Sequence, residues 1–257
     1  MLMPPIYGTC NQNSFFIYAA CDSVYFDEFG PAFITSIRRN TQAGVHLHLF
    51  NPDQRQIEHC YALGATATWE SVPLSLFEPA ATTLLSPTEL DRTKNAMIKG
   101  GDQNLLERMQ KTYYACARFI RLAELFDPTV TTLELDVDAV VRKPIPPLSE
   151  TCDFYIHHIA GKKARFLAGG LYLCANSHGQ QFLTEYALQL RNYIERDYIY
   201  WGLDQDLLDP IVPRYQHQQL PMSLIDWNMQ PDSCVWTAKG TRKDLEIFKA
   251  EKNKYTV

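Results

Sequence analysis

Between Phe15 and Trp69 the chain repeats one alternation that few folds accommodate. Phe15-Phe16-Ile17-Tyr18-Ala19-Ala20-Cys21 is an unbroken apolar run ending at Asp22. A run of this kind suits a strand buried on both faces, as in a parallel sheet covered by helices. Phe29 to Arg39 then carries Phe33, Ile34 and Ile37 at helical spacing. Gly44 and Val45 to Phe50 make a second strand, stopped by Asn51-Pro52; Gln54 to Leu63 is a second helix, and Ala65 to Trp69 a third, weaker strand. This β-α-β-α-β order predicts an α/β chain with a mostly parallel, Rossmann-like central sheet and helices packed over it.

The remainder extends that plan. Pro73 to Gly101 shows little periodicity and carries Pro73, Pro79, Pro87 and Gly100-Gly101, which predicts a binding loop or lid. Gln103 to Phe126 is a strong helix with Leu106, Met109, Tyr113, Ala117 and Ile120 on one face. Leu133 to Val141 reads as an apolar strand ending in acids, and Pro144, Pro146 and Pro147 force an extended exit. Strands follow at Asp153 to His158 and, after Gly169-Gly170, at Leu171 to Cys174, with a basic loop at residues 161–165 between them. Gly179 to Ile194 is a helix, Tyr200 to Leu208 a turn leading into another, and a charged helix runs to about Tyr255. With no internal repeat and no low-complexity linker, residues 1–257 read as one domain.

Several side chains carry candidate chemistry. Residues two apart on a strand share a face, so Asp136 and Asp138 converge while Leu133, Leu135 and Val137 face a core. Two carboxylates at a strand end suit Mg2+ or Mn2+, which take oxygen ligands and let substrate phosphates complete the shell; the plain alternative is a pair of solvated acids. Asp22 and Tyr25 follow the first strand, and ligands of open α/β sheets bind beyond the carboxyl ends of strands. Arg118 shares a helix edge with Tyr114 and Arg121. Its simplest role is a surface ion pair with Glu124 or Asp127, although a guanidinium there could also hold a phosphate or a sugar hydroxyl. Asp204 reads as a helix N-cap, or with Gln205 as an acid and an amide near a reacting centre. Gly240-Thr241-Arg242-Lys243 offers a close backbone and two cations for a diphosphate, but it is not a P-loop, and no Gly-x-Gly-x-x-Gly occurs. His46, His48, His157 and His158 lack ligand spacing and read as structural.

The net charge of −5 disfavours a nucleic-acid partner. Seven scattered cysteines without a Cys-x-x-Cys read as reduced thiols of a cytoplasmic protein. No signal-peptide pattern and no membrane-length apolar run appear, leaving at most peripheral membrane contact.

The ordered set Ala20-Cys21-Asp22-Ser23-Val24-Tyr25, Tyr114 to Phe119, Leu135-Asp136-Val137-Asp138, Leu167 to Leu173 and Leu203 to Leu208 resembles GT-A-fold glycosyltransferases. The likeness is to family eight, the group with glycogenin and lipopolysaccharide galactosyltransferases. The resemblance implies a hexosyltransferase that moves a sugar from a nucleotide-diphospho-sugar, UDP-linked by analogy, to a hydroxyl of a glycan, lipid-linked or protein acceptor, with retention of configuration. It implies Asp22 and Tyr25 at the base, and Asp136 and Asp138 on Mn2+ or Mg2+. It further implies Arg118 and Asp204 at the donor sugar, Gln205 beside the anomeric carbon, Gly169 and Gly240 against the donor, and Lys243 on the departing diphosphate. The chain departs from the pattern twice. Leu167 stands where the family has Asn, and Thr237 where it has a histidine ligand, and Thr237 is a weaker ligand than imidazole. These departures motivate an alternative, a catalytically weak or inactive relative that binds sugar nucleotides or glycans. A sugar-phosphate nucleotidyltransferase is disfavoured by the missing Gly-rich N-terminal loop.

Overall fold

The computed structural model describes residues 1–11, 15–159, 165–238 and 240–256. The expected basic loop at residues 161–165 therefore lies, apart from Arg165, outside the described residues, as does Lys239. The first unit runs β1 (Tyr7–Gly8), β2 (Phe15–Asp22), α1 (Ser23–Asn40), β3 (Gly44–Phe50), α2 (Gln54–Ala62) and β4 (Thr66–Glu70). A 3-10 turn at Leu74–Phe77 and α3 (Glu78–Ala81) lead to α4 (Pro87–Gly100) and the long α5 (Leu105–Leu125). Next come β5 (Thr131–Glu134), β6 (Ala139–Val141), β7 (Phe154–Ile159), β8 (Arg165–Leu173) and α6 (Ser177–Glu195). The last part holds α7 (Leu203–Asp206), α8 (Leu208–Ile211), β9 (His217–Gln219), β10 (Ile225–Asp226), β11 (Val235–Thr237) and α9 (Glu246–Asn253).

Strands form an eight-stranded sheet in the order β1-β4-β3-β2-β5-β8-β7-β9 and a three-stranded sheet in the order β10-β11-β6. In the large sheet β4, β3, β2 and β5 run parallel, while β8 is antiparallel to β5 and β7. The apolar run of β2 explains the layering. Ile17, Ala19 and Cys21 enter one core with α1 and α2, while Phe16 and Tyr18 enter the other with α5 and α6. A strand so placed has no solvent face, which is why its sequence does not alternate.

Four expectations need correction. The strand expected over Leu133 to Val141 is two strands in two sheets, β5 and β6. The Ala139 N–H donates to the Asp136 carbonyl at 3.0 Å, closing a turn that carries the chain from one sheet to the other. Pro73 to Gly101 is not an irregular loop. Ser86 and Glu89 form a reciprocal capping box with Pro87 in the first turn, so α4 starts there and ends at Gly101 in the left-handed region. The strand expected at Leu171 to Cys174 begins earlier, at Arg165, and runs through Gly169-Gly170, where its register with β7 shifts: Ile156 faces Leu171 and His157 faces Leu167, leaving residues 168–170 of β8 extra. The first helix begins at Ser23, because the Asp22 carboxylate caps it by accepting from the Tyr25 N–H at 2.8 Å.

Buried polar groups tie the edge of the sheet to α5. Glu70 accepts from Tyr113 Oη at 3.0 Å and pairs with Arg121. His46 sits between Thr66 and Thr68, with each ring nitrogen 2.8 Å from a hydroxyl, and His48 is 3.0 Å from Thr68. All seven cysteines are free thiols, and among the described residues no helix is long and apolar enough to cross a membrane.

Burial, and then the neighbouring His48, push His46 from its ordinary 6.5 to about 3. The unfolded chain takes that proton near 6.5 and the folded chain only near 3, so the stability this neutral ring confers is complete above 6.5 and lost as pH falls towards 3. Urea unfolding at about pH 7 and about pH 5 tests this, with His46→Gln expected to lose less stability between the two than the wild type. Equal losses would contradict it.

Candidate active site

The carboxyl ends of the parallel strands open into a cavity of about 620 Å3. Its floor is the turn after β5. Glu134 ends β5, and Asp136 and Asp138 lie in the turn after it, while Leu133, Leu135 and Val137 are buried in the core with α1. Arg118 comes down from α5 to meet them. Its guanidinium pairs with Asp136, lies 3.2 Å from Glu134 and 3.7 Å from Asp204, and donates to the Ala168 carbonyl at 3.3 Å. The Tyr18 hydroxyl fixes the helix at this point by donating to the Arg118 carbonyl at 2.9 Å.

This overturns the surface ion pair expected for Arg118. Its side chain is 11% exposed, and Glu124 pairs with Arg121 and Arg191 instead. The N-cap expected at Asp204 is also corrected. Gly202, at φ +94°, holds the cap position, and Asp204 lies in the first turn of α7 with its carbonyl accepting from Tyr186 Oη at 2.5 Å. The carboxylate is thereby left for Arg118.

Acids outnumber cations on this floor. Burial, with the nearby Asp136 and Asp204 and against the pull of Arg118, pushes Glu134 up to about 8. Burial and Asp136, opposed by Lys243 and Arg118, push Asp138 up to about 7. Burial also raises Asp204. Arg118 is held above its ordinary value despite burial, because Glu134, Asp136 and Asp204 surround it.

Asp22 and Tyr25 line the opposite wall. Lys243 Nζ donates to Tyr25 Oη at 2.8 Å and lies 4.8 Å from its ring centre, and the charge on Asp138 also favours its protonated form. Gly240, at φ +68°, turns the chain beside it in a conformation that disfavours other residues. Tyr114 stacks on Phe50 at 4.5 Å and accepts from Asn51 Nδ2 at 2.9 Å. Gln205 and Gly169 complete the expected set, and Asp22, Tyr25, Arg118, Asp136, Asp138, Gly169, Asp204, Gln205, Gly240 and Lys243 line one cavity. Thr237 does not line it. It is buried on β11, paired with Ala139 beside Asp138. Leu167 is buried too, and the cavity is lined instead by Ala168 and Gly169.

Glu134 was not anticipated, although its signal was present. In the sequence it continues the spacing of the other two acids, as Glu134-x-Asp136-x-Asp138. Lys99, Arg108, Lys111 and Trp201 also line the cavity. They come from the α4–α5 junction and the turn before α7, where no motif marks them.

Asp136 and Asp138 offer the oxygen donors that a hard divalent cation takes. Asp138 Oδ1 is buried with no hydrogen-bond partner. A Cβ on Gly169 would lie 2.6 Å from Asp136 Oδ2, so the glycine leaves that oxygen its space. Among the described residues no three His, Cys, Asp or Glu side chains converge as a protein-only metal site. Ligands from a bound molecule and water would have to complete the shell, as is usual for Mg2+.

No protein-family model matches the chain, and no curated protein matches its sequence. Solved structures do match. The chain is 14% identical to the galactosyltransferase LgtC, solved with donor and acceptor sugar analogs, over 95% of its own length and 97% of that chain, at a TM-score of 0.51. It is 13% identical to the glycosyltransferase GlyE of Streptococcus pneumoniae TIGR4, covering 95% of its own length and 61% of that chain, at 0.54. It is 12% identical to the bifunctional glycosyltransferase WbbM, covering 93% of its own length and 49% of that chain, at 0.54. It thus spans about half the length of WbbM and nearly all of LgtC. At these identities the likeness is one of architecture.

Arg118→Met leaves buried acids facing one another and is expected to cost about 3–5 kcal/mol of unfolding free energy in metal-free buffer. A surface ion pair would cost at most about 1 kcal/mol. Urea titration separates the two.

Proposed function

On the premise that this chain has the GT-A fold of known glycosyltransferases, we propose that it is a metal-dependent glycosyltransferase. It would move a hexose from a nucleotide-diphospho-sugar, a UDP-sugar, to an acceptor hydroxyl with retention of configuration. The carrying observation is that one cavity gathers acids from the β5–β6 turn, the Arg118 guanidinium and the Tyr25–Lys243 pair at the carboxyl ends of the strands.

In this reading the base lies against Tyr25 and Asp22. One oxygen of Asp22 already caps α1, so the other is left to accept from the ligand. Asp136 and Asp138 hold Mn2+ or Mg2+, which when bound neutralises charge growing on the diphosphate. Lys243 lies within the electrostatic reach of Asp138 and moves from the Tyr25 ring to the diphosphate when the base takes its place. Gly240 lets the backbone approach the same group. Gly169 sits under the donor. Arg118 and Asp204 face the donor sugar, and Gln205 stands beside its anomeric carbon.

In the transfer, the acceptor oxygen forms a bond to the anomeric carbon as the bond from that carbon to the diphosphate oxygen breaks. The acceptor proton leaves on the departing diphosphate. Retention requires the acceptor to enter on the face the diphosphate leaves. The protein's part is positioning and preorganised charge rather than covalent chemistry. The reduced thiols support a cytoplasmic setting. Thr237, outside the cavity lining, supports the second reading of a sugar-nucleotide binder with little turnover.

Asp136→Asn and Asp138→Asn are each expected to lower UDP release from UDP-sugars in Mn2+ by at least about a hundredfold while the protein stays folded. Turnover at the wild-type rate in either would contradict the assignment, and no UDP release by the wild type with any donor, despite tight binding, would favour the second reading. Gly169→Ala pushes against the Asp136 carboxylate. It should lower kcat about tenfold or more with little change in Tm. A large fall in Tm with an unchanged kcat would place Gly169 in folding alone.

A further inference from the structure

A second cavity, of about 640 Å3, adjoins the first and shares Lys99, Trp201 and Gln205 with it. Its size falls within the range of about 300–1,000 Å3 usual for small-molecule sites. Gln205 stands at the junction, and its Oε1 is buried without a hydrogen-bond partner. An amide oxygen so placed can accept from a hydroxyl entering from the second cavity.

The lining charges are not evenly matched. Arg92 is fixed by Asp206 at 2.6 Å, and a Cβ on Gly202 would come within 3.1 Å of Arg92 Nη1, so the turn before α7 is shaped to receive it. Asp209 accepts from the Phe166 N–H at 3.2 Å, which ties the start of β8 to α8. Each acid is therefore engaged. Lys99 and Arg165 are not, and among the described residues neither has an ion pair. The lining still carries Arg92, Lys99 and Arg165 against Asp206 and Asp209, one positive charge in excess, beside an unpartnered amide and in a protein whose net charge is −5. Trp201 adds a partly exposed ring at the junction, with Arg108 lying 4.6 Å from its centre.

We propose that this second cavity is the acceptor subsite and that its acceptor is a sugar bearing an anionic group, a phosphate or a carboxylate, held by Lys99 and Arg165. The inference rests on the transferase reading of the adjoining cavity. The anionic group anchors the acceptor between Lys99, at the junction, and Arg165, and its sugar ring presents a hydroxyl to Gln205.

Isothermal titration of the full chain, loaded with UDP and Mn2+, with glucose, glucose 6-phosphate and glucuronate tests the proposal. At least one anionic sugar is expected to bind about tenfold or more tightly than glucose, as hydrogen bonds to charged groups allow. Whichever of the two binds better identifies phosphate or carboxylate as the recognised group. Arg165→Met and Lys99→Met are each expected to reduce that preference several-fold. Equal or undetectable binding of all three sugars, or a preference that survives both substitutions, would overturn it. The transferase reading is tested separately, by UDP release from UDP-glucose and UDP-galactose. An anion preference without UDP release would sink that reading and keep the anion site. UDP release without an anion preference would do the reverse.

Discussion

A single guanidinium set among buried acids governs how the two halves of this molecule meet. Arg118 belongs to α5, which packs over one face of the large sheet, and its acid partners come from the end of β5 and from α7. Removing the guanidinium would strand the acids in a medium that solvates them poorly. The helix, the strand end and the short α7 must therefore be placed together. That joint placement opens the space above them.

The same arrangement is incomplete in electrostatic terms. One arginine cannot satisfy three carboxylates, and Asp138 has an oxygen with no hydrogen bond. Burial raises the cost of every unmatched charge, which is why Glu134 and Asp138 hold their protons to higher pH than free acids do. In the proposed reading, an incoming cation and the anion it carries would relieve this excess of acid.

Much of this was legible in the residues. The uniformly apolar β2 announced a sheet covered on both faces, and alternation along Leu133 to Asp138 put the acids opposite the core residues. What stayed hidden was set by distance in space. Arg118 looked like a surface residue because Glu124 and Asp127 are close to it in sequence, whereas its true partners lie on other elements. The strand through Asp136 and Asp138 looked continuous because Ala139-Val140-Val141 is as apolar as what precedes it, and only the second sheet gives those residues another partner. The helix α4 could have been found from Ser86-Pro87-Thr88-Glu89, a start signal outweighed by the surrounding prolines and glycines. The second cavity could not, since Lys99, Arg165 and Gln205 approach one another only after folding.

The most direct measurement is a crystal of the chain grown with Mn2+ and UDP, examined for the anomalous signal of manganese. The account predicts one peak between the carboxylates of Asp136 and Asp138, facing Gly169, with the diphosphate completing its shell and the uracil against Tyr25. A peak elsewhere, or UDP bound with no metal at these acids, would contradict it.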